Sequence, residues 1–261
     1  MSTLKVDAIV DKDSGNTATI NGQTISASNT QAKNFARNAA MQVHQRVAVN
    51  TQVTLGSGNT YAADGYFGFS NVGTSKLEVR DDDAPTGLTN SLKLTQSASG
   101  SIVAGSYLAV LSRIEGNVLR DFHFGKSTAR QFTVSFYVKS SQTGTFSFSL
   151  MNGTPNRSLL KTYTVSSADT WERKEITVTA DTTGTWSNTN TTGLSMVWGL
   201  GYGSTYTGST ADSWQAAANY QLDTASTAIA TNVSTWALAG VQIELNAFAS
   251  DFSSLPYNQE L

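Results

Sequence analysis

The stretch Phe132-Thr133-Val134-Ser135-Phe136-Tyr137-Val138 decides the fold. Side chains of a strand alternate between faces, so Phe132, Val134, Phe136 and Val138 share one side while Thr133, Ser135 and Tyr137 share the other. Period-two alternation rich in β-branched and aromatic residues marks a strand with one face on a core. The pattern returns after Thr143-Gly144 as Phe146, Phe148 and Leu150, and again as Leu194, Met196, Trp198 and Leu200. Near the C-terminus Trp236 and Leu238 lead through Ala239-Gly240 into Val241, Ile243 and Leu245, where the shift of phase at Gly240 predicts a β-bulge. Trp198 and Trp236 lie in phase with apolar neighbours and are expected in the core. One short helix is expected around residues 117–124, and no heptad repeat is present. Many short strands behind Gly, Asn, Asp and Ser turns predict an all-β fold, a two-sheet antiparallel jelly-roll β-sandwich preceded by a short extended N-terminal β segment.

Composition agrees. In a chain of 261 residues, long enough for one sandwich domain, charged residues make up 14% and the net charge is -2. Without a cluster of Lys and Arg, binding to nucleic acid through phosphates is not expected. The absence of cysteine removes disulfides and thiolate metal sites. Neither a signal peptide nor an apolar run near 20 residues is visible, so no membrane insertion is expected. Residues 1–34 read as a separate segment. Leu4, Val6 and Ala8 alternate, Asp11 to Gly15 form a turn, Thr17 to Ile20 alternate before Asn21-Gly22, and a polar tether follows from Ser26 to Lys33. Two or three short strands bury too little surface alone, so this segment should need a partner. The expected division is 1–34 for attachment or oligomerisation and 35–261 for the sandwich.

A run of ordered motifs carries a resemblance. Arg37-Asn38-Ala39-Ala40-Met41-Gln42-Val43-His44-Gln45-Arg46 resembles the opening of a jelly-roll domain widespread in phage tail fibres. Tyr61 to Asp64, Asp83 to Gly87, Arg113 to Gly116, Thr170-Trp171-Glu172, Asp181 to Trp186, Gly240 to Glu244 and the closing Pro256 to Leu261 follow in that family's order. The first residues, Met1 to Val6, resemble starts of fibre-like proteins from marine and cyanobacterial phages. The resemblance implies a virion location, other virion proteins as partners and a homotrimer. Through its likeness to carbohydrate-binding modules it also implies a host-surface polysaccharide as ligand. The chain departs from the family at Ala40, Gln42 and His44, where the family carries Asp, Glu and Trp; the lost carboxylates put a structural calcium there in doubt.

Catalytic chemistry finds little purchase. Glycoside hydrolysis needs two carboxylates flanking the bond, and Asp64, Glu115, Asp121 and Asp212 sit in no recognisable motif. His44 and His123 lack partners at zinc spacing, no Gly-x-Ser-x-Gly elbow occurs, and Gly201-Tyr202-Gly203-Ser204 opens no helix. Asp81-Asp82-Asp83 reads as a solvated turn, so no metal or cofactor is expected. Tyr202, Tyr206, Trp214 and Tyr220 lie in Gly/Ser/Thr/Ala-rich sequence without strand alternation. Either they form an aromatic sugar platform or they pin a long loop to the sandwich. Tyr137, on the polar face of its strand, is a further sugar-contact candidate. The expected function is therefore a non-enzymatic phage appendage protein that binds host glycan or a neighbouring fibre component. A capsid decoration, neck-fibre or adaptor protein that binds only virion proteins is the alternative, and a depolymerase is a third reading.

Overall fold

A computed structural model describes residues 17–20, 23–26, 34–223 and 229–253. The turn expected at residues 11–15, the tether through residue 33 and the closing motif at 256–261 lie outside them. The strands, in chain order, are β1 (Thr17–Ile20), β2 (Gln23–Ser26), β3 (Val53–Thr54), β4 (Thr60–Tyr61), β5 (Tyr66–Ser70), β6 (Thr74–Arg80), β7 (Ser91–Ala98), β8 (Tyr107–Glu115) and β9 (Gln131–Ser140). There follow β10 (Gly144–Asn152), β11 (Ser158–Val165), β12 (Glu172–Thr179), β13 (Thr192–Tyr202), β14 (Thr207–Gly208), β15 (Trp214–Gln215), β16 (Gln221–Leu222) and β17 (Ser234–Glu244).

Two antiparallel sheets form a jelly-roll sandwich. One has seven strands in the order β15-β11-β10-β13-β8-β5-β4, the other six in the order β12-β9-β17-β7-β6-β3. The strand expected at residues 17–20 is present as β1 and pairs antiparallel with β2, Ile20 opposite Gln23; the alternation expected at residues 4–10 lies outside the described residues. The expected short helix is a single 3-10 turn, Arg120–Phe122. No helix among the described residues is long and apolar enough to cross a membrane.

The alternation in β9 does what its sequence dictates. Phe132, Val134, Phe136 and Val138 are fully buried between the sheets. Phe136 meets Phe148 at 5.7 Å, Trp198 at 5.6 Å and Tyr163 at 5.2 Å, so one side chain of the six-stranded sheet contacts three rings of the other. Burial of each such ring is worth about 1.5–3 kcal/mol. Trp198 and Trp236 are both in this core.

The other face of β9 departs from expectation. Thr133 and Ser135 are buried as well, because the chain after β17 returns over them. Thr133 Oγ1 donates to the Asn246 carbonyl at 2.8 Å, while Ser250 donates to the buried Glu244 through its backbone N at 2.8 Å and its Oγ at 2.9 Å. Alternation shows which face meets the core, but not whether a distant segment covers the opposite one.

Gly240 sits at the expected bulge. The register slips between Ala239 and Gln242, and φ is +55°, in the left-handed region. A Cβ there would lie 2.9 Å from Leu88 Cδ1 and 3.0 Å from Tyr137 Cδ2. The opening segment is knitted into the sandwich by two asparagines. Asn34 Nδ2 donates to the Val241 carbonyl at 3.1 Å, and Asn38 Nδ2 donates to the carbonyls of Val43 at 2.7 Å and Asp64 at 2.8 Å.

Candidate aromatic cleft

The outer face of the seven-stranded sheet carries a second buried apolar cluster, built on Phe67, Ala109, Leu111, Met151, Val197 and Tyr202. On β5, Tyr66 points into the core while Phe67 and Phe69 point outward; on β8, Tyr107, Ala109, Leu111 and Arg113 do the same. The register aligns Phe67 with Leu111 and Leu111 with Val197, producing a cross-strand apolar row. The Arg113 guanidinium lies 4.7 Å over the Phe67 ring.

A second bulge completes the site. Strict alternation from Trp198 and Leu200 would turn Tyr202 into the core, but the register shifts between Gly199 and Gly201. Tyr202 therefore pairs with Tyr107 and joins the outer face. Gly201 permits this close packing, since a Cβ there would approach Ala230 Cβ to 2.7 Å.

The loop after β13 folds back across the sheet and brings its tyrosines together. Tyr206 N donates to the Gly203 carbonyl at 3.0 Å, and Tyr220 N donates to the Tyr206 carbonyl at 2.8 Å. The outward serines of β10 anchor the crossing: Ser149 Oγ donates to the Tyr220 carbonyl at 3.0 Å, and Ser147 Oγ accepts from Leu222 N at 3.0 Å. Tyr202 stacks on Tyr220 at 5.5 Å, and Tyr206 meets Tyr202, Tyr220 and Tyr107 edge-on, each at 5.9 Å. Phe69 packs against Tyr107 at 5.4 Å. These rings border a cleft of about 210 Å³ whose lining also includes Ser57 and Asn59.

Within the cleft, Tyr202 is the floor at 5% exposure, while Phe69, Tyr107, Tyr206 and Tyr220 are half-buried. Burial pushes the Tyr202 phenol well up from its ordinary range, and the phenols of Tyr220, Tyr206 and Tyr107 add to the shift. Burial also raises Tyr220, against the opposing charge of Arg113. Tyr202 and Tyr220 are therefore neutral phenols at physiological pH. Among the described residues no carboxylate lines the cleft. Rings with polar neighbours suit a ligand with apolar C–H faces and hydroxyls.

Of the residues singled out in the sequence, Tyr202, Tyr206 and Tyr220 come together here. Trp214 does not. Its ring packs edge-on against Trp186 at 5.2 Å and Phe124 at 6.0 Å, and its Nε1 donates to the Thr179 carbonyl at 2.8 Å. Tyr137 is on the other sheet, half-buried between Arg173 and Ala239. Sequence reasoning missed Phe69 and Tyr107; the signal was the run Tyr66-Phe67-Gly68-Phe69, which puts aromatics on both faces of one strand.

The other candidate groups are engaged elsewhere. Glu115 pairs with Arg37 at 3.6 Å, Asp64 with Arg46 at 3.5 Å and Asp212 with Lys161 at 2.5 Å, while Asp121 is exposed. Asp81 accepts from Asn50, Asp82 is held below the usual carboxylate range chiefly by its hydrogen bond from Arg80, and Asp83 binds Lys139 and Trp171. His123 ends the 3-10 turn, and its Nδ1 lies 3.1 Å from Thr128 Oγ1. Among the described residues no three His, Asp or Glu side chains converge as a metal site would require.

Fold and site thus define a jelly-roll β-sandwich with an aromatic cleft on the outer face of one sheet. No protein-family model matches the chain, and no curated protein sequence is significantly similar. Similar solved structures include the enzymatically active domain of tailspike protein 4 of bacteriophage CBA120, at TM-score 0.42 and 10% identity over 82% of this chain. The match spans 21% of that tailspike chain. A putative sugar-binding protein from Bacteroides thetaiotaomicron matches at TM-score 0.42 and 10% identity, over 82% of this chain and all of its own length. A CBM4 structure matches at TM-score 0.41 and 11% identity, covering 81% of this chain and 99% of its own.

Proposed function

We propose that this chain is a non-enzymatic appendage protein of a bacteriophage particle that binds a saccharide in the tyrosine cleft. The observation that carries the binding is the gathering of Phe69, Tyr107, Tyr202, Tyr206 and Tyr220 from three separate segments around one open cleft. Half-exposed rings face water at a cost in hydration, and a sugar's C–H face relieves that cost while its hydroxyls meet the phenols. That no carboxylate of the described residues lines the cleft supports binding without hydrolysis. The virion role, the homotrimer and attachment through residues 1–34 belong to the same proposal and rest on the ordered motifs in the sequence.

The test is equilibrium binding to a panel of bacterial surface polysaccharides, with Tyr206→Ala and Tyr220→Ala beside the wild type. At least one polysaccharide should bind, and each substitution should weaken it about tenfold, or ~1.4 kcal/mol. Binding that survives both substitutions, or no binding across the panel, would overturn the assignment; the latter result would favour a decoration or adaptor protein.

A further inference from the structure

A second cavity, of about 240 Å³, lies between the β8–β9 and β12–β13 connections. Arg120, His123 and Lys126 line it, together with the rings of Phe124 and Trp186, which stack at 4.2 Å. Among the described residues no carboxylate lines it, and Asp121, the acid next in sequence, does not contribute. Among the described residues eight lysines and arginines form ion pairs with carboxylates, yet Arg120 and Lys126 are in none of them. Arg120 instead makes two long hydrogen bonds, 3.4 and 3.3 Å, to the Asn188 carbonyl, near the limit of useful length.

Two exposed cations that stand outside the ion pairs of the described residues, side by side next to a histidine, form a local positive field. The field alone would suit any anion. The aromatic wall adds an apolar surface that a bare oxyanion would leave unused, and the cavity is closer in size to one sugar ring than to an extended chain. We propose that this cavity binds a carboxylate-bearing sugar residue, with the carboxylate on Arg120 and Lys126 and the ring's C–H groups against Phe124 and Trp186. An arginine fork suits a planar carboxylate, and the lysine adds a movable point charge. The site is separate from the tyrosine cleft and stands or falls independently of it.

The experiment is NMR titration of the full chain with methyl β-D-glucuronide, methyl β-D-glucoside and inorganic phosphate at low ionic strength, following the Trp186 indole N–H. The glucuronide should shift that resonance saturably, and the glucoside should leave it in place. Phosphate should bind more weakly than the glucuronide. The double variant Arg120→Gln/Lys126→Gln should weaken glucuronide binding at least tenfold while preserving thermal stability, since both side chains are exposed. Lys126→Glu alone should weaken it as well. Equal binding of glucoside, glucuronide binding unaffected by the double variant, phosphate binding as tight as glucuronide, or no glucuronide shift would each overturn the proposal.

Discussion

Consider Tyr202→Phe. The ring keeps its stack on Tyr220 and its edge contact with Tyr206, so packing and the shape of the cleft floor are preserved. What disappears is a buried phenolic hydroxyl with no hydrogen-bond partner among the described residues. Keeping such a group dry costs about 1–3 kcal/mol, whereas two atoms satisfying each other would have contributed about 1. Phenylalanine removes that cost, and the variant should be stabilised by at least about 1 kcal/mol. For a chain of this length that raises Tm by roughly 2–4 °C. Differential scanning calorimetry at neutral pH reads the change, and the saccharide titration proposed above runs in parallel. Affinity should stay within about twofold, about 0.4 kcal/mol, because the hydroxyl lies beneath the contact surface. A Tm that falls by a similar amount would refute the reasoning by showing that the hydroxyl makes a hydrogen bond. Unchanged stability with a large loss of affinity would make Tyr202 a ligand contact instead of a floor.

Two further outcomes follow from buried groups. Asp181 is 2% exposed, accepts two bonds from Arg157 at 2.6 and 2.9 Å, and accepts from Thr183 N and Oγ1. Asp181→Ala strands a largely buried guanidinium, so urea unfolding should report a loss of about 3 kcal/mol or more; a loss under about 1 would show that solvent replaces the carboxylate. Burial raises the phenols of Tyr163, Tyr202 and Tyr220, outweighing at Tyr163 the opposing hydrogen bond from Trp236. Folding therefore favours their protonated form. That contribution is complete below the unfolded phenol pKa of about 10 and is lost as pH rises above it, at up to about 1.4 kcal/mol per pH unit for each phenol. Thermal unfolding should accordingly weaken steeply above that pH, and a flat alkaline profile would contradict the burial of these hydroxyls.

Strand alternation made much of the sandwich legible. The inward rows of β9, β10 and β13, the two core tryptophans, the Gly240 bulge and the strand at 17–20 were all readable, because a two-residue period is a local property of the backbone. The buried outer face of β9 was not, since the Asn246 carbonyl that meets Thr133 lies 113 residues further along the chain. The site was half legible. An aromatic-rich loop without alternation drew attention to Tyr202, Tyr206 and Tyr220, but the same signal swept in Trp214, which the sheet edge claims for packing against Trp186.

What the sequence determined by itself was local and periodic: strand faces, turns and the all-β class. What only the tertiary structure decided was which aromatics meet. Tyr202 reaches the outer face because of a one-residue slip between Gly199 and Gly201, and Phe69 and Tyr107 join it through pairing of β5 with β8 and of β8 with β13. A bulge reverses the face of every residue beyond it, so register must be fixed by long-range pairing before any strand residue can be assigned to a site.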